Sequence, residues 1–383
     1  MRPGVRLREW IPIASPLSSD PYPGCRPDLV QAISEFRRSE QLKFSVAVLA
    51  SITAFLWCST NVPIGGILMS SGSGSQGQYR SSFSSWESRS SVRAKPRRIL
   101  EELEDGKVFF PPELVPVLYH PLVREQDEEL IKNLLLQRLH IYLDFTADLE
   151  QLVVTPVTQI ISRRRSGFEL PPEMLHDSYK ICTDEAWHAQ FSDDLQGQLI
   201  SVTKEMPRAV GEPYFLSRLN TLKAGLDPAV RPLAELFFTV VSETLISSIL
   251  SGIPKDQRVC TAVRETIADH AEDEGRHHAF FARFFEYAWP QLTAGQRDLI
   301  GTLLPEFVVA FLKPDIAATA DMLKLTSLDS ESVMGVIEET YPIARIQADM
   351  RAAAAATLRL FDRNGVFESD KMADSFFQCG LLV

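Results

Sequence analysis

The segments DEAWH at residues 184–188 and DEGRH at residues 273–277 decide the fold of this chain. Each contains a glutamate followed three positions later by a histidine. Positions three apart differ by about 60° around an α-helix, so the two side chains of each pair project from one face, a turn apart. One helix can therefore present two metal ligands to the same cavity.

Two other helical stretches each carry a lone carboxylate, and the first of these is Glu243. It lies in FFTVVSETLISSIL, residues 237–250, which contains no basic side chain. A buried carboxylate without a partner costs several kcal/mol, and a bound metal ion would neutralise it. The alternative is a glutamate that faces solvent or is buried in its protonated form.

Glu150 is the second lone carboxylate. It aligns with the apolar stripe that contains Leu139 and Leu143, whereas Asp144 and Asp148 share a different stripe of the same helix. This alignment predicts that Glu150 faces the other helices. The alternative is that all three acidic residues mark a solvated face.

The ligand pattern predicts the fold. Two helices with Glu-x-x-His and two with a single glutamate supply the ligand set of ferritin-like di-metal proteins. Carboxylates and imidazoles suit iron, and four carboxylates offset most of the charge of two ferrous ions. We therefore predict an all-α chain, a ferritin-like four-helix di-iron bundle with additional C-terminal helices. Apolar spacing places the helices at about 124–162, with a kink at Pro156, and at 172–203, 229–250, 256–289, 293–312, 315–326 and 329–362, with a further short helix within 204–228.

An aspartate precedes the glutamate in both segments. A ligating imidazole needs an acceptor for its other ring nitrogen, and an aspartate on the facing helix can supply it. By similarity to the DExRH motif of di-iron oxygenases, we assign Asp273 to His188 and Asp184 to His277. Arg276 would then bind Asp184 or a neighbouring carboxylate. The alternative for these three charged residues is an ordinary solvated surface.

His270 is the histidine that discriminates between classes of di-iron protein. It shares one narrow helix face with Glu274 and His277, so it is a candidate seventh ligand. His278 is turned about 100° from His277, which indicates a structural role. Three other histidines have no ligand partner at helical spacing and are expected to be structural: His120, His140 and His176.

The candidate ligands are Glu150, Glu185, His188, Glu243, His270, Glu274 and His277. This set resembles that of the p-aminobenzoate N-oxygenase (AurF-like) family, over about residues 100–310. The resemblance implies two iron ions, O2 as co-substrate, and oxidation of an amine to a hydroxylamine, nitroso or nitro product, usually in secondary-metabolite biosynthesis. Glu185 and Glu274 would bridge or chelate the irons, and Glu150 and Glu243 would cap one iron each.

Two other functions remain open at this stage. Acyl desaturases and hydroxylases share the Glu-x-x-His core, and a non-catalytic iron-binding protein would also use it.

For the N-oxygenase, the substrate would be a small amine or one tethered to a carrier protein. The sequence has no dinucleotide-binding fingerprint and no iron–sulfur cysteine spacing, so a separate reductase or ferredoxin, or peroxide, must supply electrons. Phe145, Phe238, Trp187 and Leu245 are candidates for a substrate pocket or for core packing.

The composition limits the possible partners and the cellular compartment. The chain has 383 residues, a formal net charge of -11 and a pI of about 5.3, which argues against a nucleic-acid partner. The five cysteines are scattered and form no C-x-x-C, so a reducing cytoplasm is the simplest expectation. Association into a homodimer is left open.

Residues 1–95 differ in composition from the helical domain predicted at 96–383. We expect a poorly ordered extension, because residues 70–92 are rich in serine, glycine and glutamine. Residues 44–68 carry no charge and follow basic residues, so they are a candidate membrane anchor or cleaved signal, although their strongly apolar part is short for a span. A biological start at Met69 is the third possibility.

Overall fold

The computed structural model describes residues 78–208, 211–250 and 252–383. These ranges are helical and contain no β-strand, with one isolated parallel bridge between Val108 and Val259. The predicted all-α class is therefore confirmed. The helices of eight or more residues in the described ranges are α1 Glu128–Leu149, α2 Thr155–Ser162, α3 Pro172–Thr203, α4 Tyr214–Ala224, α5 Arg231–Leu250, α6 Thr261–Ala288, α7 Ala294–Leu312, α8 Ile316–Leu323, α9 Ser330–Thr340, α10 Ile343–Arg363 and α11 Asp370–Gln378.

Helices α1, α3, α5 and α6 form the bundle that carries the predicted ligands. Helix α6 packs along α5, and α3 packs against α1 and α2. Helix α5 is apolar on nearly all sides because α7 and α10 cover the face that it turns away from α6. Phe237 of α5 packs against Phe285 of α6 with 5.8 Å between ring centroids, and α6 buries three further phenylalanines, Phe280, Phe281 and Phe284.

The first long helix is interrupted at the site rather than simply kinked at Pro156. It begins after Asp127, whose side chain accepts a hydrogen bond from the Leu130 N–H at 2.8 Å. The segment Glu150–Val154 then forms a π-helical turn, and α2 continues with Pro156 in its first turn. A proline removes a backbone donor, and the wider turn accommodates that loss. Glu150 therefore projects from a widened turn, as residues at functional sites often do.

Several predicted boundaries needed correction. The helix expected over 329–362 is two helices, because Pro342 precedes α10 and cannot continue α9. The helix expected from residue 256 begins at Thr261, after extended backbone at Cys260. Helix α11 was not predicted. The helix over 172–203 was predicted with the bounds that the structure shows.

The predicted extension over residues 1–95 was placed too far into the chain. Residues 79–94, which we call the N-terminal strap, contain two short helices, Trp86–Arg89 and Ser91–Ala94. The strap packs against α3 and α6 and buries Tyr79, Phe83 and Trp86. These aromatic side chains supply the apolar surface that the surrounding serines lack.

The remaining N-terminal predictions lie outside the described residues. They concern residues 1–77, including the candidate anchor at 44–68 and the alternative start at Met69. Within the described ranges, no helix has the length and apolar character that crossing a membrane requires.

Candidate metal centre

The structure brings the seven candidate ligands together inside the bundle. Glu150 comes from the π-helical turn and Glu243 from α5, while α3 and α6 contribute the two Glu-x-x-His pairs and His270. Each of the seven is at most 1% exposed. Side chains this polar are almost never fully buried unless they are paired or bind a metal.

Their donor atoms form overlapping groups in which all atoms lie within 4.8 Å of one another. The groups are Glu150, His188, His270 and Glu274; Glu185, His188, Glu274 and His277; and Glu150, Glu185 and Glu243. Because the first two groups share His188 and Glu274, the cluster fits two adjacent ions better than one.

Glu185 and Glu274 lie between the two histidines of the repeated motifs. Nδ1 of His277 is 3.0 Å from Glu185 Oε1 and 3.0 Å from Glu274 Oε1. Nδ1 of His188 is 2.9 Å from Glu185 Oε2 and 3.4 Å from Glu274 Oε1. A carboxylate that reaches both imidazoles in this way is positioned to bridge two ions.

His270 extends the cluster toward Glu150. Its Nε2 atom is 3.4 Å from Glu150 Oε1 and 3.3 Å from Glu274 Oε1. This Nε2 atom is buried and makes no hydrogen bond to any described residue. His270 therefore places a ring nitrogen that could coordinate a metal in the same space as the carboxylates.

The unpartnered carboxylates show that the residues fit a metal. Both oxygens of Glu150 and both oxygens of Glu243 are buried without a hydrogen-bond partner among the described residues. Such groups are rare in folded proteins because each one loses its hydration without compensation. Four carboxylates and three imidazoles match the ligand preference of iron, and their charge balances two ferrous ions.

The electrostatics of the metal-free cluster are unfavourable. Burial, followed by the charges of Glu185 and Glu274, raises the pKa of Glu150 and of Glu243 well above the usual value. Burial alone would also raise the pKa of Glu274, but the charge of His277 and hydrogen bonds from His188 and His277 hold it well below normal. Without a metal the outer carboxylates therefore favour their protonated forms, and a divalent cation would compete with those protons.

Two aspartates lie beside the histidine Nε2 atoms, which point away from the carboxylate cluster, in the pairs that the sequence suggested. Nε2 of His188 is 3.1 Å from Asp273 Oδ2, and Nε2 of His277 is 3.2 Å from Asp184 Oδ2. Arg276 binds Asp273 rather than Asp184. Both imidazoles thus turn Nδ1 toward the carboxylate cluster and Nε2 toward an acceptor, as ligating histidines do.

A sequence-family model described as P-aminobenzoate N-oxygenase AurF matches residues 85–365. The chain belongs to this family. The predicted relationship is confirmed, and the all-helical structure agrees with the ferritin-like bundle expected for it. Membership of this family implies that the chain is an oxygenase. The buried carboxylates and histidines fit a di-iron site.

The AurF family match also includes most of the strap, whose role the sequence analysis missed. Trp86 Nε1 donates to Asp184 at 2.9 Å, and the Ser91 N–H donates to Asp273 at 3.0 Å. The Phe83 ring stacks on His277 with 5.9 Å between ring centroids. Aromatic residues spaced through a serine-rich stretch were the signal that could have revealed this docking.

A cavity of about 510 Å³ borders the helix that leads to Glu150 in this AurF family member. Arg138, Tyr142 and Phe145 of α1 line it, together with residues of α7, α8 and α10. Burial raises the pKa of Tyr142, and the charges of Glu150 and Glu274 raise it further. The Tyr142 wall of the cavity therefore lies within electrostatic reach of the metal ligands.

The four pocket candidates from the sequence fall into three environments. Phe145 lines the large cavity, and Trp187 lines a cleft of about 60 Å³ between residues 96–98, α3 and α6. Phe238 and Leu245 are fully buried in the core.

The remaining histidines lie outside the cluster. His278 is half-buried, and burial lowers its pKa. His120 lies 3.1 Å from Glu339, and His176 is exposed. His140 is fully buried, and neither ring nitrogen has a hydrogen-bond partner among the described residues.

His140 should make the fold sensitive to acid. Burial lowers its pKa from 6.5 to about 4, so between these values the unfolded chain binds a proton that the folded chain does not. This contribution to stability is intact above about pH 6.5 and is lost as the pH falls toward 4. Between pH 7 and pH 4.5, the free energy of unfolding should fall by about 2 to 3 kcal/mol more in the unsubstituted protein than in His140→Leu.

Urea denaturation of both metal-free proteins at the two pH values measures this difference. The exposed His176→Gln variant is the control and should follow the unsubstituted protein. Equal acid sensitivity of His140→Leu and the unsubstituted protein would show that His140 is not the group responsible.

Proposed function

We propose that this chain is a di-iron N-oxygenase that uses O2 to oxidise an amine to a hydroxylamine, nitroso or nitro product. The observation that carries the proposal is the buried seven-residue cluster with His270 as a third histidine beside Glu150 and Glu274. Membership of the AurF family supports it. A role in secondary-metabolite biosynthesis and a cytoplasmic location are part of the same proposal.

The ligand roles follow from position. Glu185 and Glu274 would bridge, Glu150 and Glu243 would cap the two sides, and the three histidines would complete the set. When bound, two irons would supply the electrons that O2 needs to react with the amine. The protein holds the ligands in fixed orientations and excludes bulk water, because every ligand is buried.

The large cavity is the proposed amine site. Arg138 and Lys313 line it, and neither forms an ion pair or hydrogen bond with a described residue. Their neighbours are aromatic rings, Phe110 at 5.2 Å for Arg138 and Tyr214 at 5.6 Å for Lys313. The five carboxylates that line the cavity each have a partner, and these are Asp144, Glu212, Asp315, Asp321 and Asp349.

Asp321 and Asp349 pair with the cations Lys324 and Arg345, whereas the other three carboxylates have only neutral hydrogen-bond partners. The cavity therefore presents both positive and negative charge at apolar walls. We expect it to take an amine with an apolar body, either free or tethered to a carrier protein. A separate reductase or ferredoxin would supply the electrons for O2, or peroxide would take the place of O2 and the electrons together.

The test is to incubate the reduced, iron-loaded protein with O2 and a panel of free and carrier-bound amines, with and without a carboxylate. Mass spectrometry should detect an oxygenated nitrogen in at least one product. His270→Ala should lower this activity by at least about 10-fold, because ligand geometry at one ion changes. His278→Ala, the matched control on the same helix, should retain activity.

Two results would contradict the proposal. One is desaturation or carbon hydroxylation of the panel without any oxidised nitrogen, which would favour another di-iron oxidase. The other is undiminished amine oxidation by His270→Ala at full iron loading, which would remove His270 from the mechanism.

A further inference from the structure

We propose that the N-terminal strap positions both ligand histidines by holding the aspartates behind them, with Trp86 as the positioning residue for His277. This inference rests on the proposed di-iron centre. It adds a segment outside the four-helix bundle to the machinery that fixes metal geometry.

Trp86 is connected to the candidate metal ligand His277 through hydrogen bonds to Asp184. Its Nε1 atom lies 2.9 Å from each oxygen of Asp184, and Asp184 Oδ2 lies 3.2 Å from His277 Nε2. Asp184 is fully buried. The indole therefore fixes the carboxylate that fixes the imidazole.

Phe83 restrains the same imidazole from its face. Its ring stacks on His277 at an interplanar angle of 20°. Trp86 and Phe83 together limit both the rotation and the tilt of His277. The two strap side chains lie three positions apart, so one short segment delivers both restraints.

The second histidine has a corresponding support. The Ser91 N–H donates to Asp273 at 3.0 Å, and Asp273 Oδ2 lies 3.1 Å from His188 Nε2. Asp273 also binds Arg276. Asp184 lacks such a cation, and Trp86 is its only described hydrogen-bond partner besides His277. Loss of the strap contact should therefore affect the His277 side more than the His188 side.

The strap is anchored to both ligand-bearing helices. Tyr79 donates to Asp177 on α3 at 2.8 Å, and Arg89 forms an ion pair with Glu272 on α6 at 2.7 Å. Ser82 donates to the backbone carbonyl of Arg276 at 3.1 Å. These contacts hold the strap across α3 and α6, so its two donors reach both aspartates at once.

The test uses Trp86→Phe, which keeps an aromatic ring and removes the N–H donor. Metal-free protein is titrated with Co2+, and binding is followed by calorimetry and by the visible absorption of the bound ion. We expect one of two Co2+ sites to weaken by about 10-fold to 100-fold while the other is unchanged. Trp187→Phe is the matched control, since the Trp187 ring packs on Phe191 of the same helix and its N–H makes no described hydrogen bond to Asp184.

A double variant tests whether Trp86 acts through Asp184. If it does, adding Trp86→Phe to Asp184→Asn should weaken Co2+ binding by no more than Asp184→Asn alone. If Trp86→Phe fails to fold, as judged by circular dichroism, Phe83→Leu replaces it and should weaken the same single site.

The outcomes separate this inference from the proposed function. Unchanged binding in Trp86→Phe, or equal weakening of both sites, would overturn the positioning role while leaving the di-iron centre intact. Absence of Co2+ binding to the unsubstituted protein would instead overturn the metal centre on which the inference rests.

Discussion

Replacing Glu274 with alanine should weaken binding of both iron ions by at least about 100-fold and abolish amine oxidation. The reason is its central position. Glu274 Oε1 lies within 3.4 Å of a ring nitrogen of His188, His270 and His277. No other carboxylate of the cluster contacts all three histidines. The loss should therefore extend to both ions and not only to the nearer one.

Iron analysis after anaerobic loading and gel filtration measures this effect. Glu265→Ala is the control, because Glu265 lies on the same helix but pairs with Arg98 near the surface. Retention of both irons by Glu274→Ala would show that Glu274 does not link the two ligand groups.

Substitution of Glu243 by leucine should make the metal-free protein more stable, and the metal-loaded protein less stable, than the unsubstituted protein in the same state. In the metal-free state both Glu243 oxygens are buried without a partner, so leucine should stabilise the fold by about 1 to 3 kcal/mol. In the unsubstituted protein, saturating metal should stabilise by about 4 kcal/mol or more at a thousandfold excess over Kd, on the order of 10 °C in Tm. Glu243→Leu should lose most of that gain.

Thermal unfolding with and without Fe2+ under anaerobic conditions tests the reversal. The variant should melt above the unsubstituted protein without metal and below it with metal. A metal-free variant that melts lower than the metal-free unsubstituted protein would mean that Glu243 stabilises the fold by itself and is not held in place for an ion.

Local periodicity explains why the cluster could be predicted. Each Glu-x-x-His pair and His270 lie on single helices, where spacing of three and four residues determines a shared face. Glu243 stood out because the stretch around it, residues 237–250, contains no basic side chain. The aspartate pairs across α3 and α6 followed from what a ligating imidazole requires. That these residues bind iron in the proposed roles stays a prediction.

Long-range packing explains what the sequence did not reveal. The strap depends on contacts between residues almost a hundred or more positions apart, such as Trp86 with Asp184, and its serine-rich composition concealed three buried aromatic residues. The π-helical turn at Glu150–Val154 reflects how the helix accommodates Pro156 within the bundle. The large cavity is formed by segments from five parts of the chain and leaves no local pattern.

The most direct test of the central claim is the number of irons that the purified chain binds after anaerobic loading with Fe2+ and removal of the excess. We expect about two irons per chain in the unsubstituted protein, bound by the seven buried side chains. One iron per chain or fewer would contradict the di-iron centre and every function proposed from it.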